Sequence, residues 1–146
     1  MYQEQFTQET GVYAAINPQT LNNSNAKSGG IDMSLFKRAF FVVEIGTVTS
    51  TGSITAQLVE DTNANLSTAT NLAGNNTSQA GLTTSNKQVT FEARADQMTK
   101  RYLGIKLTEV SSQNVVVAAV ALGIDSIHKP GSANNDGSVV ASNVVS

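Results

Sequence analysis

The chain has 146 residues, enough for one domain and one core, and a net charge of −2. Only 14% of its residues are charged, against a usual value of about 25%. It lacks the basic excess of a nucleic-acid binder, and with no cysteine it has neither disulfides nor thiolate metal sites.

The opening stretch MYQEQFTQET carries no basic n-region or apolar h-region, so it does not read as a signal peptide. The longest uncharged apolar run, residues 115–124, is about half of the roughly 20 residues that a bilayer helix needs. The expectation is a soluble chain made in a cytoplasm, with no nucleic-acid and no membrane partner. Roughly a third of the chain is Asn, Ser or Thr, and these residues compete with helix by bonding to nearby backbone.

Residues 1–30 are polar except for one apolar patch at 12–16, which Asn17-Pro18 ends as a turn. They read as an N-terminal arm with one short strand. The block IDMSLFKRAFFVVEIG follows. From 38 to 45, Ala39, Phe41, Val43 and Ile45 share one face, while Arg38, Phe40, Val42 and Glu44 share the other. Residues 46–52 form a turn. Ile54, Ala56 and Leu58 then alternate with Thr55, Gln57 and Val59, so the two period-2 runs read as a hairpin.

Residues 61–86 are rich in Asn, Thr, Ser, Ala and Gly, with Leu66, Leu72 and Leu82 as the large apolar residues. A structureless loop of that length is unusual. Either short strands pinned by the leucines run through it, or it makes contacts outside the domain. Alternation resumes with Val89, Phe91 and Ala93, passes a short turn at 95–99, and continues with Leu103, Ile105 and Leu107. Residues 115–123 are apolar on both faces, as in a central strand covered on both sides. Residues 125–146 form a polar, extended C-terminal tail bearing two β-branched pairs, Val139-Val140 and Val144-Val145. Such a tail is a candidate strand for another surface.

No long segment has helical periodicity. The predicted fold is all-β: an antiparallel β-sandwich or jelly-roll-like domain over residues 31–124, with the arm before it and the tail after it.

No constellation carries chemistry. His128 is the only histidine and lies in the polar tail. Asp61-Thr62-Asn63-Ala64-Asn65 begins like a calcium loop, but Leu66 and Leu72 stand where such a loop needs its glycine and its bidentate glutamate. Glu44, Glu60 and Asp61 read as solvent-facing acids rather than a glycosidase pair. No catalytic, cofactor or metal residue is assigned, and an enzyme is the weakest reading. Association residues are a better fit. Phe40 and Val42 put large apolar side chains on a nominally exposed face. The basic pairs Lys37-Arg38 and Lys100-Arg101 serve either as strand-edge charge or as docking points for an acidic partner. Val139, Val140, Val144 and Val145 complete the set.

The order of landmarks resembles a known group. Ile31-Asp32-Met33-Ser34, Phe36 and the strand Arg38 to Gly46 lead to Ile54 to Asp61, then to Asn86-Lys87-Gln88-Val89 and Lys100-Arg101-Tyr102-Leu103. This is similar to small virion proteins of tailed bacteriophages, often encoded beside the major capsid protein. The likeness covers about residues 30–123 and departs at both ends. It implies a head decoration, or cement, protein: a small, β-rich, commonly trimeric structural protein that ties neighbouring capsid subunits together on the outside of the virion. A tail, fibre or connector protein and a carbohydrate-binding β-sandwich are the alternatives.

Overall fold

The structure is a computed structural model that describes residues 5–137 and 139–141. After one helical turn, α1 (Phe6–Glu9), the chain is built from β1 (Gly11–Leu21), β2 (Asn25–Lys27), β3 (Ile31–Asp32), β4 (Phe36–Val48), β5 (Ile54–Asp61), β6 (Thr70–Asn71), β7 (Ser78–Leu82), β8 (Lys87–Arg94), β9 (Tyr102–Glu109) and β10 (Val115–Ser126). Short 3-10 turns lie at Ala95–Gln97 and Gly131–Asn134. No helix among the described residues is long and apolar enough to cross a membrane.

Two antiparallel sheets pack face to face. The first has the order β1-β10-β4-β8; the second has β2-β9-β5-β6, with β3 also on β9 and β7 also on β5. The chain passes between the sheets after β1, β3, β4, β7, β8 and β9, which makes this an antiparallel jelly-roll sandwich. The predicted fold class holds, and so does the alternation that supported it. Ala39, Phe41, Val43 and Ile45 of β4 pack in one core with Phe91 and Ala93 of β8, Ile54 and Leu58 of β5, and Leu103, Ile105 and Leu107 of β9.

The expected hairpin between β4 and β5 does not form. β4 pairs with β10 and β8, and β5 pairs with β9, β6 and β7. The turn between them carries the chain from one sheet to the other. Both strands have one buried face, and period-2 alternation reads the same whether the partner strand is next in sequence or far away.

The arm is also corrected. Residues 11–21 form an edge strand inside the first sheet, paired with β10 from Gly11↔Gly123 to Leu21↔Val115, and Ile16 and Leu21 are buried. Asn17-Pro18 does not end this strand. The register shifts on either side of Ile16, and the strand runs on to Leu21. A bulged edge strand tolerates proline because one side of its backbone needs no partner. Residues 25–27 then pair with β9 in the second sheet.

Of the two readings of 61–86, the internal one holds. β6 and β7 both pair with β5, and Leu66 and Leu72 are buried. Leu66 lies against Gly104 of β9, so this loop folds over the outer face of the second sheet.

Candidate association surface

The outward face of the first sheet is apolar. On adjacent strands Leu122 pairs with Phe40 and Val120 with Val42, while Val12 of β1 sits beside Leu122. All five side chains point away from the core. Phe40 and Val42 are half-buried, as a two-faced β4 requires. Val116 and Val120 of β10 are 37% and 42% exposed.

This corrects the expectation that the strand of residues 115–123 is covered on both sides. β10 is central, between β1 and β4, but its outer face stays open to water at Val116 and Val120. Sequence reasoning found Phe40 and Val42 and missed Val116, Val120 and Leu122. The signal was present: a run of residues apolar on both faces needs two covers.

Two hollows indent this face. One, of 420 Å³, lies between β1 and β4 and is lined by Ile16, Val42, Val120 and Val139. The other, of 620 Å³, continues from it toward Gly46, Lys87 and Val116. They share Pro18, Glu44 and Ala118, so together they form one open groove across the sheet.

The basic pairs are mostly tied into the fold. Arg38 donates from Nε to Asp125 at 2.8 Å and from Nη1 to Glu92 at 3.2 Å. Arg101 grips Asp32 with two hydrogen bonds, 2.9 and 2.6 Å, and its guanidinium lies 5.3 Å from the Tyr102 ring centre. That grip, with help from Ser34, outweighs partial burial and holds the Asp32 carboxyl at about 2. Lys100 donates to Thr70 at 2.8 Å. Lys37 is exposed on β4 and makes no ion pair among the described residues. The two pairs are not brought together into one basic patch. Arg38 borders the apolar face, whereas Lys100 and Arg101 sit at the entry to β9 in the other sheet.

The tail is tethered to the first sheet. Ser126 ends β10, and the chain then turns back over the start of β1. Ile127 N–H donates to Leu35 O at 2.9 Å, Lys129 pairs with Glu9 at 3.3 Å, and Gly131 packs on Thr10. Val12 is held on both its polar groups: its N–H donates to Asn135 Oδ1, and its C=O accepts from Asp136 N–H, each at 2.8 Å. Val139 is half-buried in the groove, and Val140 is 99% exposed. Val144 and Val145 lie outside the described residues.

The acids that stood out in the sequence brace loops. Asp61 is fully buried and accepts from Thr68 N–H, Thr68 Oγ1 and Asn63 N–H at 2.7–3.1 Å. Burial alone would raise its pKa, but these hydrogen bonds outweigh it and bring the group to about 2. Glu60, also buried, accepts from Thr99 N–H, Thr99 Oγ1 and Lys100 N–H. The same competition, burial against hydrogen bonds, lowers its pKa. Glu109 was not singled out in the sequence. It joins two turns by accepting from Ser111 N–H at 2.8 Å and Asn23 N–H at 2.7 Å, and it too falls to about 2 against its burial. Solvent-facing acids were therefore the wrong expectation for Glu60 and Asp61. Glu44 is exposed, on the other sheet, and accepts from Gln88 at 3.0 Å. His128 is exposed, and no group of three metal-ligating side chains occurs among the described residues.

No protein-family model and no curated protein matches this chain. Solved structures do resemble it. A protein from the pili of Bacillus endospore appendages, described as disulfide-linked, aligns at a TM-score of 0.49 with 10% identity, over 86% of this chain and 96% of that one. A chain of the infectious bursal disease virus Gt strain aligns at 0.49 with 8% identity, over 84% of this chain but only 33% of the viral one. A low-affinity xylan-binding module, CBM86, from Roseburia intestinalis aligns at 0.44 with 13% identity, over 79% of this chain and 95% of the module. These likenesses extend to the layered β architecture alone.

Proposed function

We propose that this protein is a capsid decoration protein of a tailed-phage head. It binds the major capsid protein on the outer shell, ties neighbouring subunits together and assembles as a homotrimer. It has no catalytic task and no nucleic-acid partner. One observation carries the reading: the two central strands of the first sheet, β10 and β4, turn apolar side chains outward on a face whose bordering charge, Arg38, is already neutralised by Glu92 and Asp125. A wet apolar strip on central strands is what an association surface needs. The resemblance of residues 30–123 to phage decoration proteins supplies the kind of partner.

The rest of the molecule supports the same role. The buried acids Glu60, Asp61 and Glu109 hold loops through hydrogen bonds. Among the described aromatics, Tyr13 packs edge-on against Phe36 and Tyr102 lies beneath Arg101, while Phe40 is half-buried in the apolar strip.

The test is to mix the purified protein with shells assembled from the major capsid protein encoded beside it, then image the particles and weigh the free protein by native mass spectrometry. Copies covering the shell and a trimer mass are expected. Binding confined to a tail or a portal, or no binding with a monomer mass, would overturn the proposal. Glycan-array hits would favour the carbohydrate-binding alternative.

A further inference from the structure

We propose that the open hollow where β4 begins and β8 and β10 end is a binding site for a small aliphatic carboxylate, its apolar wall taking the hydrocarbon chain and its rim cations taking the acid. This does not rest on the virion reading.

The wall is apolar and fixed. The hollow measures 430 Å³ and is lined by the apolar side chains of Met33, Phe36, Ala95 and Ile127. That size falls within the roughly 300–1,000 Å³ of small-molecule sites. Met33 is 6% exposed and Phe36 is fully buried, so neither is free to swing out and fill the space. Ile127 is 52% exposed. Its N–H is tied to Leu35 O at 2.9 Å, so the backbone holds a large apolar side chain at the hollow and in contact with water. An apolar body laid against it removes that surface from water.

The rim selects the charge. Lys37, Arg38 and Arg94 line the same hollow, with two carboxylates, Asp96 and Asp125. Both carboxylates already have partners. Arg94 donates to Asp96 from Nε and Nη2, each at 3.1 Å. Arg38 donates to Asp125 from Nε at 2.8 Å. Glu92, the other partner of Arg38, lines a separate hollow with Leu58 and Leu72. Donors remain on the cations. Among the described residues Lys37 makes no ion pair, and Arg38 Nη2 and Arg94 Nη1 make no hydrogen bond. An anion therefore meets unspent donors, whereas a cation must displace an arginine from Asp96 or Asp125. One carboxylate matches the one unpaired ammonium and can accept charge-assisted hydrogen bonds from it.

The test is a titration of the full chain followed by NMR. The sequence holds three methionines, so an isotope-labelled Met33 methyl reports directly on the hollow. Hexanoate should move it with a Kd of about 1 mM, within the affinity open to so small a ligand. Butanoate, shorter by two methylenes, should bind roughly tenfold more weakly. Hexanol, which lacks the charge, should also bind about tenfold more weakly, and hexylamine should leave the methyl unmoved. Lys37→Glu should cut hexanoate affinity about tenfold and leave hexanol unchanged. Ile127→Ser should weaken both ligands about threefold by removing apolar wall. An unmoved methyl at about 10 mM hexanoate, ten times that Kd, would overturn the proposal. So would hexanol or hexylamine binding as tightly as hexanoate, or a Lys37→Glu chain that binds hexanoate at full strength.

Discussion

Phe36 is fully buried at the start of β4, and its ring fills a slot between two glycines. Gly11 and Gly123 face each other across β1 and β10. A Cβ on Gly123 would come within 2.5–2.7 Å of the ring, and one on Gly11 within 2.7 Å. Tyr13 closes the slot edge-on, at 5.8 Å between ring centres. The ring cannot retreat, so Gly123→Ala should cost about 1–3 kcal/mol by overpacking. Urea unfolding would show it as a lower midpoint at unchanged slope. Adding Phe36→Leu should recover part of the loss, because the smaller side chain makes room; strictly additive costs in the double-mutant cycle would refute the slot. Leu66 poses the opposite problem. Its side chain is buried against Gly104 and pins the loop after β5 to the second sheet. Leu66→Ala should cost roughly 2–5 kcal/mol, with faster proteolysis within residues 62–69 than elsewhere as the accompanying sign. Neither slot is legible in the sequence. A glycine there announces a turn, and only the pairing of distant strands reveals that it makes space.

Among the elements, the connections between strands depend on ionised carboxylates. Glu60 holds the turn before β9, Asp61 the loop after β5, and Glu109 joins the β1–β2 and β9–β10 turns, while Asp32 is clamped by Arg101. All four have folded-state pKa values below their ordinary ones, and Asp32, Asp61 and Glu109 lie at about 2. Between that value and the ordinary range, about 3.9–4.3, the unfolded chain binds more protons than the folded one. Stability contributed by these groups is therefore complete above about pH 5 and is lost as the pH falls toward 2. Urea midpoints should be flat from pH 5 to 7 and drop steeply below 4. Glu109→Gln should be less stable at pH 7 and show a shallower acid slope; an unchanged slope would remove Glu109 from the account. The strands themselves were readable, because Ala39, Phe41, Val43 and Ile45 can alternate only as a half-buried strand. Their partners were not, because every passage between the sheets is a long-range choice. β1 was hidden for a local reason: Asn17, Pro18, Gln19 and Thr20 are exposed on a bulged edge and look like a turn. The acids looked exposed because a sequence does not show which backbone N–H groups will meet a carboxylate.

For the whole molecule, the asymmetry between the two sheets matters most. The second sheet has its outer face partly closed by its own loop, with Leu66 over Gly104 and Lys27 Nζ donating to the Leu66 carbonyl at 2.7 Å. The first sheet has its chain-terminal segment anchored at one corner and two exposed valines at its centre. Association should therefore run through the first sheet. On the proposed decoration role, each copy would need only a modest contact there, because a lattice of sites would supply avidity without any single strong interface. Val120→Lys places a charge at the centre of that strip on a side chain that is 42% exposed, so the isolated fold should lose no more than about 0.5 kcal/mol. Shell occupancy, by contrast, should fall at least about tenfold, since desolvating one unpaired ammonium exceeds the roughly 1.4 kcal/mol that a tenfold loss requires. Lys37→Ala, at the rim of the same sheet, should change occupancy little, because rim charges act mainly on encounter rates. Sedimentation of shells with each variant, beside its thermal unfolding curve, separates the two effects. If Val120→Lys decorates shells at wild-type density while Lys37→Ala does not, the binding surface is polar and lies at the edge of the sheet.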